Sequence, residues 1–189
     1  FTGLWFDMPS ITKAGHIIGA IVGFDLAHAA GNVPLHLHDW DVDFACWCSY
    51  KYQNAGPGGI SGIFVHQKHF SDQSLHRFAG WWGYQEKNRF LMEKGFVPET
   101  GADGWQVSCT QVMPMALYHA SLQLFEKVGF MEPLRTKSKI LTEYLFFIGK
   151  ILHISEWYFG IFDSKLAFEF QRKAMEKVPG NARKNQPHL

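Results

Sequence analysis

The sequence predicts an α/β chain, the back half of a large, mostly parallel sheet domain leading into a second, smaller domain. Two observations predict it. Three short apolar runs, Ala20–Phe24, Phe44–Ser49 and Ile60–His66, read as strands, and the first two lead straight into polar residues. That is the pattern of strands whose carboxyl ends face a ligand in an open sheet. Two long stretches of helical periodicity come after them, Met113–Val128 stopped by Gly129 and Pro133–Leu152 with Lys and Arg on its wet face.

In chain order, FTGLWFDM opens on strand-like apolar residues without an initiator methionine, as expected of a piece cut through a sheet. A helix is expected from Pro9, with Ser10 as N-cap, Ile11, Ala14, Ile17 and Ile18 as its buried stripe and Gly19 as its stop. The strand Ala20–Phe24, expected to be buried on both faces, ends on Asp25, and His28 follows three residues on. Asp25 reads equally well as a ligand-facing carboxylate and as a helix cap. The segment Gly31–Asp43 carries His36, His38, Asp39, Asp41 and Asp43, but its spacing matches no structural zinc pattern. It is expected to be a polar loop, or one at a subunit contact.

The stretch Cys48–Gly59, CSYKYQNAGPGG, is the most informative in the chain. It delivers Tyr50 and Lys51 at a strand end, directly before turn residues that let backbone approach a ligand closely. A lysine so placed, its pKa lowered by desolvation, presents a neutral amine that can form a Schiff base with a carbonyl. The competing reading is a solvated lysine in a surface turn, the ordinary fate of lysine.

Further on, Gly80-Trp81-Trp82-Gly83 sets adjacent indoles between glycines. Core packing is one reading; a loop that closes over a ligand or a partner subunit is the other. Pro98–Trp105 is turn-rich, and Val107 with Ser108 reads as a short strand. One more helix is expected over Ser164–Lys177, then a polar, frayed end over Pro179–Leu189.

Composition narrows the function. With 18 basic against 17 acidic residues, the chain lacks the basic excess of a nucleic-acid or membrane-surface binder. Hydrophobic residues make up 47%, enough for a sizeable core, yet no apolar run reaches bilayer length. Cys46 and Cys48 stand too close for an unstrained disulfide, so a reducing, cytoplasmic setting is expected.

The stretch from Gly15 to His66, with FDLAH and SYKYQNAGPGG inside it, together with GWWG and ETGADGWQVS, resembles kynureninase. That is a pyridoxal-phosphate family of the aminotransferase-like, fold type I class. The resemblance runs from about Phe1 to Leu152. It implies that residues 1–130 are the C-terminal part of the cofactor-binding large domain and 131–189 a linking helix and truncated small domain.

It further implies that Lys51 carries pyridoxal 5'-phosphate and then shuttles a proton at the substrate α-carbon, while Asp25 faces the pyridine nitrogen. His28 matches a cofactor-site histidine. Tyr50 reaches the phosphate and serves as acid or base near the carbonyl being cleaved. Trp81 matches a tryptophan lent to the phosphate by the neighbouring subunit of a homodimer. The implied reaction is hydrolysis of L-kynurenine or its 3-hydroxy form to L-alanine and anthranilate or 3-hydroxyanthranilate, in tryptophan breakdown towards NAD.

The chain also departs from the pattern. Cys109, Thr110 and Gln111 stand where the family places Asn or Thr followed by Pro, so no phosphate contact is carried over there. Gln53 and Tyr84 replace Leu or Met and His. Neither Arg172 nor Arg183 lies in the context of the family's substrate-carboxylate arginine. Two alternatives stay open: another fold type I lyase or aminotransferase, and a non-catalytic fragment that lacks the front half of the site.

Overall fold

The structure is a computed structural model, which describes residues 5–72 and 74–152. The chain divides into two compact units, one spanning Met8–Arg135 and another to which the described residues from Thr136 onward belong. The first begins with helix α1 (Met8–Ile17) and holds strands β1 (Gly23–Asp25), β2 (Phe44–Cys48) and β3 (Ser61–Val65) and helix α2 (Val112–Lys127). Helix α3 (Met131–Ile151) begins in the first unit and continues into the second. The expected tail helix and frayed end lie outside the described residues.

The strands form one sheet in the order β1-β2-β3. β1 runs parallel to β2, with Gly23 opposite Phe44 and Asp25 opposite Cys46. β2 and β3 form an antiparallel hairpin, from Phe44 opposite Val65 to Cys48 opposite Ser61. Both apolar runs expected to flank the glycine turn are therefore strands, within a residue or two of their predicted limits. The link from β1 to β2 carries Leu26, Ala30 and Val33 inward at helical spacing, and with Met8, Val42, Ala45 and Ala55 they form the core.

Several expectations are corrected. α1 starts at Met8, ahead of the expected Ser10 cap, and buries Met8 and Thr12, whereas Ile11, Ile17 and Ile18 are exposed. The cause is Gly15, one turn beyond Thr12: a Cβ there would meet Val22 at 2.4 Å, so this face alone can lie against the chain entering β1. Gly19 does end the helix. At φ 75° it lets its own N–H reach His16 and the N–H of Ala20 reach Gly15, a Schellman closure.

The sheet is also not buried on both faces. Ala45 is buried, but its neighbours Phe44 and Cys46 point to the other face, where Phe44 is 49% and Ile63 45% exposed. In α2 the helical periodicity runs through Met115, Leu117, Ala120, Leu122 and Phe125, yet none of these is buried, and Ser121 is the residue turned inward, because it bonds backbone rather than packing on carbon. Val107 and Ser108 form no strand.

At the amino end of β2 an ion cluster fastens this unit. Asp43 is only 3% exposed, and its carboxylate accepts from the Val22 N–H (2.6 Å) and lies within hydrogen-bond distance of His16 (2.8 Å), His69 (2.7 Å) and Lys68 (2.8 Å). Asp41 adds a second carboxylate, 2.7 Å from Lys68 and 3.3 Å from His16. Burial pushes the Asp43 carboxyl up, but bonds from Lys68, Val22, His16 and His69 outweigh it and hold the group well below its usual range. For Lys68, burial pushes down and the two aspartates more than offset it, leaving the amine above its ordinary value.

The depressed carboxyls give stability that is fully present above the unfolded value of about 4 and is lost as pH falls through their folded values. The raised amine gives stability present below about 10.4 and lost as pH rises past it. Replacement Asp43→Asn should lower the unfolding free energy by on the order of 2 kcal/mol, because it removes the buried charge on which the Val22 N–H, Lys68, His16 and His69 converge. Urea titration at pH 7 and at pH 3 tests this: the loss should shrink at the lower pH, and an unchanged midpoint at pH 7 would contradict the role assigned to the cluster.

Candidate active site

Because β1 and β2 are parallel, their carboxyl ends open onto the same edge of the sheet, at the opposite end of β2 from the ion cluster. Asp25 is the last residue of β1. Its Oδ1 accepts the Ala27 N–H at 2.8 Å, which shapes the turn and is its one side-chain hydrogen bond among the described residues, so Oδ2 stays available. The Leu26 N–H then donates to Cys46 (2.8 Å), carrying the parallel ladder one step further. The cap reading of Asp25 is thus realised in part, as a turn, without consuming the carboxylate.

Just past the end of β2, Ser49 is fully buried and its hydroxyl donates to the Ile60 carbonyl. The N–H of Ala55 returns to Ser49 (3.1 Å), and that of Asn54 closes a turn on the Lys51 carbonyl (3.1 Å). Lys51 is therefore held by its backbone while its amine is free to act. Among the described residues Nζ makes no hydrogen bond or ion pair, and lies 5.7 Å from the centre of the Tyr50 ring. Tyr50 is exposed on the same edge.

The two strand-end loops touch. The ring of His28 meets that of Tyr52 edge-on at 6.3 Å. Gly31, at φ 80°, passes so near the second loop that a Cβ would lie 2.8 Å from the Tyr52 carbonyl. Asp25, His28, Tyr50 and Lys51 are thereby brought to one edge.

Trp81 pairs with other residues. No hydrogen bond, ion pair or ring contact among the described residues joins it to the edge. Its ring meets Phe90 at 5.5 Å, and Arg89 lies over the Trp82 ring at 4.6 Å while donating to the carbonyls of Trp82 and Tyr84. Trp81 is 44% exposed. Cys109 is exposed too, and the side chain of the nearby Gln106 bonds Ser108 and Thr110.

Sequence reasoning missed two features. Local pattern marks the ion cluster only as a polar loop, yet the hairpin register, extended past the strand ends, sets Asp43 against His66 and Asp41 against Lys68. The bonds that Gln53 receives from Tyr118 and Ser121 had no such local signal. Among the described residues no group of His, Cys, Asp and Glu could hold a metal ion, and no helix is long and apolar enough to cross a membrane.

Residues 1–90 match the aminotransferase class-V family. A cysteine desulfurase from Escherichia coli superposes with a TM-score of 0.58 at 18% identity, covering 79% of this chain and 35% of that one. The fold is thus the fold type I architecture of pyridoxal-phosphate enzymes, as expected.

Within that class the sequence is kynureninase-like. The chain is 58% identical over 148 residues to a kynureninase of Flavobacterium psychrophilum, covering 78% of this chain and 35% of the relative. For a kynureninase of Dictyostelium discoideum the identity is 57% over 148 residues, with 77% and 33% covered. The chain therefore spans about a third of the length of the curated relatives it matches.

If the Gly31 contact sets the two loops against each other, Gly31→Ala should destabilise the protein by more than about 1 kcal/mol, since both the positive φ and the close approach resist a Cβ. Chemical denaturation reads this directly. A change of only a few tenths would mean the loops are positioned independently.

Proposed function

We propose that this chain is the lysine-bearing part of a kynureninase. The reaction is hydrolysis of the Cβ–Cγ bond of L-kynurenine or 3-hydroxy-L-kynurenine, yielding L-alanine and anthranilate or 3-hydroxyanthranilate. The observation that carries the reading is the free amine of Lys51 on the same sheet edge as the open carboxylate oxygen of Asp25. Identity of 55–58% over 148 residues to named kynureninases supports it.

The donor set fits pyridoxal phosphate, which supplies when bound an aldehyde for an amine and a cationic ring that accepts the electron pair of a substrate carbon. Lys51 is the residue to hold that aldehyde and, once released, to move a proton at the substrate α-carbon. The Asp25 carboxylate would favour a protonated ring nitrogen through its charge. Tyr50 offers a hydroxyl that moves a proton at the carbonyl where water adds and the bond breaks. His28, held against Tyr52, would border the cofactor.

The reading extends to a cytoplasmic homodimer in which Trp81 of one subunit gives its indole N–H to the phosphate bound by the other. Support comes from the exposure of Trp81 and from its ring partners, Phe90 and Arg89, neither of which belongs to the Lys51 edge. On the same reading the large domain ends near residue 130, close to the compact unit's limit at Arg135, and the linking helix comes next.

Kynurenine turnover by the full protein, with absorbance of the bound cofactor, is the test. Lys51→Ala should abolish the lysine-held band and lower turnover by roughly a thousandfold or more, and Asp25→Asn should keep the band while slowing turnover strongly. A cofactor band that survives Lys51→Ala would refute the assignment. Release of sulfide or a keto acid in place of alanine and an aromatic amine would move the protein to another lyase or aminotransferase.

A further inference from the structure

We propose that Gln53 is a positioning residue, clasping the turn that carries Lys51 to helix α2; this rests on the reading of Lys51 as the cofactor lysine. Gln53 lies inside the turn that the Asn54 N–H closes on the Lys51 carbonyl. Both of its acceptors are taken by α2, from more than sixty residues away: the Tyr118 hydroxyl donates to its side-chain Oε1 at 2.7 Å and the Ser121 hydroxyl to its backbone carbonyl at 2.6 Å. Tyr118 and Ser121 sit three apart and so share one helix face.

Ser121 is the buried residue of α2, at 7% exposure, in a helix whose apolar residues are largely open. The helix is therefore seated on the turn by two hydrogen bonds rather than by a packed apolar stripe. The stem of Gln53 also runs along Gly31, where a Cβ would come within 2.8 Å of its Cγ. One side chain thus joins the loop bearing Asp25 and His28, the turn bearing Lys51, and α2.

Leu or Met, expected at this position, would fill the same space against Gly31 but accept nothing from Tyr118. The chain's departure at Gln53 is consequently matched by a donor far away in sequence. Release of the clasp would leave Lys51 on a turn held by its internal bonds alone, with a wider range of amine positions.

The test uses the full protein with pyridoxal phosphate, and the variants Gln53→Met, Tyr118→Phe and their combination. Each single variant should weaken cofactor affinity about fivefold, the net worth of one hydrogen bond, and the double variant should be no worse than either. The pH midpoint of the cofactor absorbance should move with them. Additive losses, or singles that lower only the urea midpoint and leave affinity and pH midpoint unchanged, would overturn the proposal.

If the unmodified protein gives no cofactor band, the lysine reading itself fails, and hydrogen exchange decides the clasp. The Asn54 amide should then exchange about fivefold faster in Tyr118→Phe. Exchange at the original rate would overturn it.

Discussion

The parallel pairing of β1 with β2 is the constraint on which the site depends. Side by side in register, Asp25 opposite Cys46, the two strands must deliver their succeeding loops to the same edge. A one-residue slip would turn every side chain of β1 to the other face of the sheet. It would also break the Leu26–Cys46 bond that starts the turn around Asp25. The chemistry proposed at Lys51 thus rests on backbone geometry several residues earlier.

That register is held from the far end. Asp43 ties α1, the approach to β1 and the segment after β3 to the start of β2, so the hairpin and the parallel strand share one anchor. The arrangement separates two tasks. Charge is neutralised and buried where rigidity is needed, and it is left open at the edge where a ligand would use it. Buried ion pairs often add little stability over carbon packing, but they specify one arrangement strongly because the alternatives leave charges unpaired. The open face of the sheet, with Phe44 and Ile63 half exposed, leaves that anchoring to the polar end.

Much of this was legible in the residues. Apolar runs that stop on Asp25 and Lys51 gave the strands and the edge they share, and Gly19 and Gly129 marked where α1 and α2 end. The faces were harder. Ile17 and Ile18 fit a helical stripe by pattern, yet the inward face of α1 is chosen by the absence of a side chain at Gly15, which periodicity cannot weigh. In α2, polar bonds to Gln53 turn Ser121 inward, and hydrophobicity points elsewhere. Asp41 and Asp43 were visible as charges, but their partners lie across a hairpin, and only its register pairs them.

The proposed chemistry stands or falls with one amine, on the turn after β2, as the covalent anchor of the cofactor. Reduction of the pyridoxal-phosphate-bound full protein with borohydride, then peptide mass mapping, probes that anchor without an intermediary, because the bond is fixed where it forms. A single pyridoxyl modification is expected, on the peptide containing Lys51. A modification concentrated instead on Lys68, Lys13 or another lysine, with Lys51 unlabelled, would contradict it.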